Sequence, residues 1–229
     1  SLKDPTPLTQ IVLPGLTKLD RLEAGLTFQP ASKSWNFILD LPALQYGTLQ
    51  LDSLRILSAP SNSGLRTTVD ALQLQSGENL KFTLPHFYTF QRNDSLWVDI
   101  KTLEQADSLL WHTAGTLAAK EENWRFHFDP IVRLNGIDWA VDPGHEMVYK
   151  PEKGWQIQDF ELNNGAESVS IDGASGNGPF QDSLIVLRFD QFGIAVFNPL
   201  LDLPDDYITG ALQGQPQLFG RFEFVKLAS

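Results

Sequence analysis

Short segments of alternating apolar and polar residues run through almost the whole chain, and turn-forming residues separate them. Alternation with a period of two is typical of a strand with one face toward a core, because successive side chains point to opposite sides. The segments recur roughly every 8 to 16 residues, which favours hairpins and meanders over crossover helices. The pattern therefore predicts an all-β fold of antiparallel strands. Turn signals lie at Pro30, Pro42, 59–64, Ser76-Gly77, 92–94, 121–123, Pro143-Gly144 and Lys153-Gly154.

We predict strands over fifteen segments of the sequence. They are 19–28, 35–41, 47–57, 64–75, 79–90, 94–100, 107–118, 123–128, 131–141, 145–149, 154–162, 167–173, 182–190, 207–213 and 217–226. Asp-Ser-Leu occurs at 52–54, 94–96, 107–109 and 182–184, where we predict that it leads into an apolar-alternating stretch. It is either a faint internal repeat or the ordinary preference of Asp and Ser for turns and of Leu for strands.

Composition narrows the classes of partner. The formal net charge is −11, which argues against a general affinity for nucleic acid or for anionic lipid surfaces, although it does not exclude binding of lipid tails. The chain has no cysteine, so disulfides and thiolate metal sites are excluded. Hydrophobic residues make up 42% of the sequence, enough for one or two domains, and no apolar run reaches the roughly 18 residues of a membrane-spanning helix.

No residue pattern typical of an enzyme occurs. The only close neighbours among the histidines and acids, His145-Glu146, lack the second histidine of a zinc-protease motif. The glycine cluster 173–178 is followed by Pro179 and a strand, so the helix terminus of a phosphate-binding loop is missing. We therefore expect no catalytic residues, no metal and no cofactor. We expect His127 to point away from the face that Phe126 and Phe128 share. All four histidines are expected to be surface or strand residues: His86, His112, His127 and His145.

Several predicted strands place apolar side chains on one face. A closed sandwich or barrel would bury these stripes as core, whereas an open, folded-over sheet would use them as a groove wall, and alternation is the same in both. The segment Leu184–Phe189 is apolar on both alternating faces, which indicates apolar cover on each side or a nearby fold in the sheet. The stripes are Leu49 and Leu51, Val69 and Ala71, Leu96 and Val98, Trp124 with Phe126 and Phe128, Val169 and Ile171, and Phe222 and Phe224.

The tryptophans support a different interpretation. Trp124, Trp139 and Trp155 recur at almost equal spacings, which would bring them near one another if each strand and turn had a similar length. Exposed, they would form an aromatic platform for sugar rings on a β-sandwich. Buried, they would fill a β core, which we prefer as the commoner role of large aromatic residues.

The last half of the chain carries a recognisable succession of short motifs. Trp155-Gln156-Ile157 leads to Phe160-Glu161-Leu162, and the segment 143–155 precedes them. The succession continues with Ser170-Ile171-Asp172-Gly173, Asp182-Ser183-Leu184 with Phe189, Asn198-Pro199-Leu200-Leu201, Ile208-Thr209-Gly210 and Leu212-Gln213-Gly214. Over residues 107–226 this frame resembles the conserved region of the TamB/AsmA-like family of bacterial envelope proteins, in particular the large bacteroidete-type TamB proteins.

The resemblance implies an architecture and a location. It implies antiparallel strands in an elongated folded-over sheet, a β-taco or open barrel-like groove with an apolar interior. Residues 1–106 would be a repetitive strand segment, continuous in one sheet with a conserved segment, 107–229. The chain would be an internal segment of a longer periplasmic protein anchored in the inner membrane, consistent with a start that lacks signal-peptide architecture.

The resemblance also implies a function without chemistry. The groove would shield phospholipid tails during transport between the inner and outer membranes, and the full-length parent would meet an outer-membrane barrel assembly partner. Two alternatives stay open, a scaffold for outer-membrane protein assembly by β-strand pairing and a carbohydrate-binding β-sandwich. The residues expected to line the groove are Phe126, Phe128, Val169, Ile171, Leu184, Val186, Phe222 and Phe224.

Overall fold

The computed structural model describes residues 15–30, 34–61, 63–77, 80–105, 108–151, 153–175, 184–198 and 209–219. These residues form a 19-stranded antiparallel sheet and one short 3-10 helix, Ile194–Phe197. No α-helix occurs in this part of the chain. The predicted all-β antiparallel fold is confirmed.

The strands follow one another along the chain with short connections. The first nine are β1 (Leu16–Leu19), β2 (Glu23–Gln29), β3 (Ser34–Tyr46), β4 (Leu49–Ser61), β5 (Gly64–Asp70), β6 (Gln73–Ser76), β7 (Leu80–Thr83), β8 (His86–Arg92) and β9 (Ser95–Gln105). The others are β10 (Ser108–Lys120), β11 (Asn123–Phe128), β12 (Ile131–Leu134), β13 (Ile137–Val141), β14 (Glu146–Lys150), β15 (Gly154–Asn164), β16 (Glu167–Ser175), β17 (Leu184–Gly193), β18 (Ala211–Gly214) and β19 (Gln217–Phe219).

The chain divides into two compact units. Unit 1 comprises 1–114, 133–137 and 195–208, and unit 2 comprises 115–132, 138–194 and 209–229. Unit 1 therefore contains β1 to β9 and the start of β10. Unit 2 contains the rest of β10, β11, and β14 to β19.

The long strands of unit 1 each pair with two shorter strands. β4 pairs with β5 through one half and with β6 through the other. The gap between β5 and β6 lies beside the gap between β7 and β8, because Ala71 N–H donates to Pro85 O (3.1 Å) and Leu84 N–H donates to Leu72 O (2.8 Å). Leu84 has a φ of 45°, and Pro85 has no N–H to donate to a ladder. The predicted single strands 64–75 and 79–90 are therefore each two strands.

Two further sequence predictions are corrected. The predicted strand 131–141 is a hairpin, because Asn135 and Gly136 have φ of 50° and 76°, the left-handed values that a two-residue hairpin turn requires. Asp-Ser-Leu at 52–54 lies inside β4, where Ser53 has a φ of 52°, whereas Ser95 begins β9 after a turn. These two copies hold different structural positions.

Each unit seals a limited number of apolar side chains. In unit 1 the buried hydrophobic residues are Leu16, Leu41, Ala43, Ala114 and Val196. In unit 2 they are Val132, Trp139, Val141, Val148, Phe160, Leu162 and Phe192. The Trp139 and Phe192 rings lie 5.3 Å apart, although β13 and β17 are separated by β15 and β16, about 14 Å along a flat sheet. The sheet of unit 2 therefore curves enough to bring these rings together.

Candidate functional site

The strand register of unit 2 places apolar residues from neighbouring strands on one face. Residues directly opposite each other in an antiparallel pair share a face. Phe126 lies opposite Met147, which lies opposite Ile157, and this row continues to Gly173 and Ile185. Parallel rows on the same face are Trp124, Tyr149, Trp155 and Ser175; Phe160, Ile171 and Leu187; and Leu162, Val169 and Phe189. We call these rows the apolar face of unit 2.

Four of the predicted groove residues lie on this face. Phe126 and Phe128 pack edge to face with ring centroids 4.6 Å apart, and Phe128 lies 4.9 Å from Phe160. Val169 and Ile171 are two strands away from β14, on β16, where Ile171 lies opposite Phe160. The register thus brings together residues that the sequence could assign only as separate stripes.

Leu184 and Val186 do not belong to the same face. Val186 lies opposite Asp172 and Leu184 lies opposite Ala174, so both point to the side opposite Ile171. The expectation that they share one wall with Val169 and Ile171 is corrected. The segment Leu184–Phe189 has apolar residues on both alternating faces, so alternation alone could not show which face belongs to the groove. Phe222 and Phe224 lie outside the described residues.

The opposite face of unit 2 is polar. Arg125 pairs with Glu146 at 2.9 Å, and Lys150 Nζ donates to Gln156 at 2.5 Å. A cavity of about 300 Å³ on this side is lined by Asp142, Gly144, Asp159, Glu161, Ser170, Asp172 and Arg188. Unit 2 therefore has one apolar side and one side on which ion pairs lie beside a few apolar residues such as Val148 and Val186.

Two of the four carboxylates that line this cavity, Asp142 and Asp172, have hydrogen-bond partners within the protein. Asp172 is bonded to Arg188 and also accepts the Asp159 N–H at 2.8 Å, and Asp142 accepts the Gly144 N–H at 2.6 Å. Among the described residues, no group of three or more histidines and acids is arranged to hold a metal ion.

Unit 1 contains a comparable apolar row that sequence reasoning did not assemble. Leu39, Ile56, Val69, Phe87 and Ile100 lie opposite one another across β3, β4, β5, β8 and β9. These side chains are half-buried or exposed, and Ile100 retains 43% of its accessible surface. A second row, Leu44, Leu51, Leu74 and Phe82, crosses β3, β4, β6 and β7 on the other side of the strand breaks. These rows can be recognised only once the strand pairing is known, because each strand contributes one residue to a row.

The three equally spaced tryptophans have different environments. Trp139 is 1% exposed, whereas Trp124 is 43% exposed and shares a row with Tyr149 and Trp155. The Tyr149 and Trp155 rings are 5.3 Å apart and tilted by 49°, so they do not form a flat platform. The core role predicted for these residues therefore holds for Trp139, and Tyr149 is the member of the row that sequence reasoning missed.

The histidines lie in three separate places. His86 contacts Asp70, and His112 Nε2 lies 3.5 Å from Asp99. His145 is 5% exposed, so the expectation of a surface or strand position is wrong for it. Its ring stacks on His127 with centroids 4.3 Å apart, and its Nε2 accepts the Phe128 N–H at 2.9 Å. Sequence reasoning missed this contact, because His127 and His145 are far apart along the chain. They meet because residues 142–145 fold back onto the end of β11.

Within the described residues, no helix combines the length and the apolar character that crossing a bilayer would require. Comparison with known proteins adds no relative: no family model, no curated protein and no solved structure matches this chain.

Proposed function

We propose that this chain is a non-enzymatic segment whose apolar faces shield phospholipid tails in transit between two membranes. The observation that carries the proposal is the pair of apolar rows in unit 1, which cross successive strands while their side chains stay half-buried or exposed. A row of five strands spans about 19 Å, longer than the roughly 15 Å hydrocarbon depth of one leaflet. An acyl chain laid along such a row would meet apolar side chains over its whole length.

The energetics suit transport better than storage. Covering a methylene group is worth about 0.8 kcal/mol, so shielding ten of them offsets roughly 8 kcal/mol of exposure to water. The rows hold chemically similar Leu, Ile, Val and Phe side chains, which would give a nearly uniform affinity along the sheet. A uniform surface lets cargo slide, whereas a deep pocket would trap it.

Ion pairs lie on the face opposite the Leu39 row and the Phe126 row, and in unit 1 that opposite face also carries the Leu44 row. In unit 1, Arg55 pairs with Asp40 on the face opposite the Leu39 row, and in unit 2 Arg125 pairs with Glu146 opposite the Phe126 row. We propose that the sheet folds over so that the apolar rows line a taco-like groove. The resemblance to the TamB/AsmA-like family supports a place in the periplasm, within a parent anchored in the inner membrane, with an outer-membrane barrel partner.

One observation favours strand pairing as a second candidate function. All seven residues of β2 are exposed, with Leu26 at 69% and Phe28 at 59%. Among the described strands, β2 pairs with β3, and β2 contains neither lysine nor proline, residues that protect sheet edges against added strands. An edge of this composition would accept an added strand from a client of outer-membrane assembly.

A matched pair of variants tests the lipid proposal. Ile100 and Ile38 are both 43% exposed, but Ile100 lies on the Leu39 row and Ile38 lies on the opposite face. Native mass spectrometry after incubation with phosphatidylethanolamine and phosphatidylglycerol vesicles should show lipid adducts on the parent chain. Ile100→Asp should lose most adducts, while Ile38→Asp should retain them.

Either of two results would reject the proposal. The first is a parent chain that melts cooperatively yet carries no adduct. The second is equal adduct loss in both variants, which would mean that lipid binds without regard to the face. Competition by a strand-forming outer-membrane peptide, with no effect of lipid, would favour the strand-pairing function.

A further inference from the structure

His145 ties the end of β11 to the turn that precedes β14. Its Nδ1 lies 2.5 Å from Asp142 O, and because a carbonyl oxygen only accepts, Nδ1 carries the hydrogen. Its Nε2 lies 2.9 Å from Phe128 N, whose N–H donates, so Nε2 is unprotonated. The two bonds together require the neutral imidazole with its proton on Nδ1.

We propose that His145 is a pH-sensitive latch on the end of β11. A proton on Nε2 turns an acceptor into a donor, so the Phe128 N–H loses its partner in a part-buried bond to a buried ring. The ring of Phe128 packs on Phe126 and Phe160 in the apolar face of unit 2. Acidification therefore loosens this part of the apolar face, whether or not the face carries lipid.

Several titratable groups lie around the ring of His145. The stacked ring of His127, with centroids 4.3 Å from those of His145, repels a second positive charge when both imidazoles are protonated. Carboxylates lie on the segments around the ring: Asp129 after β11, Asp142 and Glu146 on the segment of His145, and Asp159 and Glu161 on β15. Glu146 is already paired with Arg125, and Asp142 already accepts the Gly144 N–H.

The state of the latch is read at the Phe128 amide. A proton on Nε2 removes the acceptor of the Phe128 N–H, so this bond is lost when His145 becomes protonated. Hydrogen exchange by NMR, corrected for intrinsic rates, should show the protection of Phe128 falling about tenfold between roughly pH 7.5 and pH 5. The amides that pair β16 with β17, such as that of Ser170, serve as the internal reference and should change much less.

Two variants separate the latch from general acid effects. His145→Gln offers an amide oxygen to the Phe128 N–H and an N–H to the Asp142 carbonyl without titrating, so its Phe128 protection should not depend on pH. His127→Gln removes the stacked imidazole but keeps both bonds, so the loss of protection should persist.

Three outcomes would overturn the proposal. Imidazole nitrogen shifts could show the proton of His145 on Nε2 at neutral pH. Phe128 could lose no more protection than the reference amides. The pH response of His145→Gln could equal that of the parent chain. If that variant does not fold, the first two measurements on the parent chain decide the matter alone.

Discussion

The two units build their apolar faces from the same alternation but seal them to different degrees. In unit 1 the row from Leu39 to Ile100 crosses five strands, and its members stay half-buried or exposed. In unit 2 the Trp139 ring meets Phe192 from a strand three pairings away, and Phe160 and Leu162 are buried. Alternation therefore determines which face is apolar, while contacts between rings of distant strands determine whether that face becomes a closed core.

The largest expected effect tests this difference directly. Phe160→Ala removes a buried ring packed on Phe128, and it should lower the free energy of unfolding by about 3 to 5 kcal/mol. Phe87→Ala in unit 1 removes a half-buried ring, and it should cost about 1 to 2 kcal/mol. Urea unfolding followed by hydrogen exchange in each unit measures both. Equal costs would mean that the row of unit 1 is sealed as tightly as the core of unit 2.

The second prediction compares the two faces of one strand pair. Ile171→Asp places a carboxylate opposite Phe160 and Leu187, and should cost about 2 to 3 kcal/mol. Val186→Asp lies on the polar face, on the same strand as Arg188, and should cost less than about 1 kcal/mol. Chemical denaturation of the two variants measures the contrast. A reversed order would show that the apolar face of unit 2 is assigned to the wrong side.

The fold class was within reach of the sequence, but the strand breaks were not. Alternation and turn residues predicted the antiparallel all-β fold correctly, because both are local properties. Leu84 and Ser53 adopt positive φ values that Leu and Ser rarely take, so composition gave no sign of them. The hairpin turn at Asn135-Gly136 is a different case, since this dipeptide is a strong turn signal that was available and was not used.

The candidate site depended on pairing, which one sequence does not contain. Phe126, Ile157 and Ile185 share a row through four strand pairs that are fixed by hydrogen bonds across the sheet. A register shift between Ile157 and Phe160, where Asp159 has a φ of 53°, lets both residues occupy the apolar face despite their odd spacing. Strict alternation along the chain would place either Ile157 or Phe160 on the wrong face.

The third prediction compares one glycine from each unit. A Cβ on Gly173 in unit 2 would lie 2.0 Å from Leu184 O, and its φ is 134°. Gly173→Ala should therefore cost about 2 kcal/mol or more, through both contact and backbone strain. Gly25 on β2 of unit 1 has no atom within 4 Å of the corresponding position, so Gly25→Ala should be neutral or stabilise by up to about 1 kcal/mol. Thermal melts suffice, and a destabilising Gly25→Ala would show that the β2 edge is covered.

The smallest expected effect concerns the most buried side chain of unit 2. Trp139 is 1% exposed, and its indole N–H has no hydrogen-bond partner among the described residues. Trp139→Phe keeps a ring against Phe192 and removes a buried donor, which relieves about 1 to 3 kcal/mol while losing a similar amount of packing. The net change in unfolding free energy should lie within about 1 kcal/mol, far below the roughly 3 to 5 kcal/mol of Trp139→Ala.

Urea unfolding of these two variants, with Trp155→Phe as the half-exposed control, makes the measurement. A cost above about 2 kcal/mol for Trp139→Phe would mean that the indole N–H is bonded to water inside unit 2. That result would make unit 2 resemble unit 1, because a core that admits water is not closed. A near-zero cost would instead confirm that aromatic packing alone seals unit 2, and would leave the half-exposed rows of unit 1 as the surface open to a ligand.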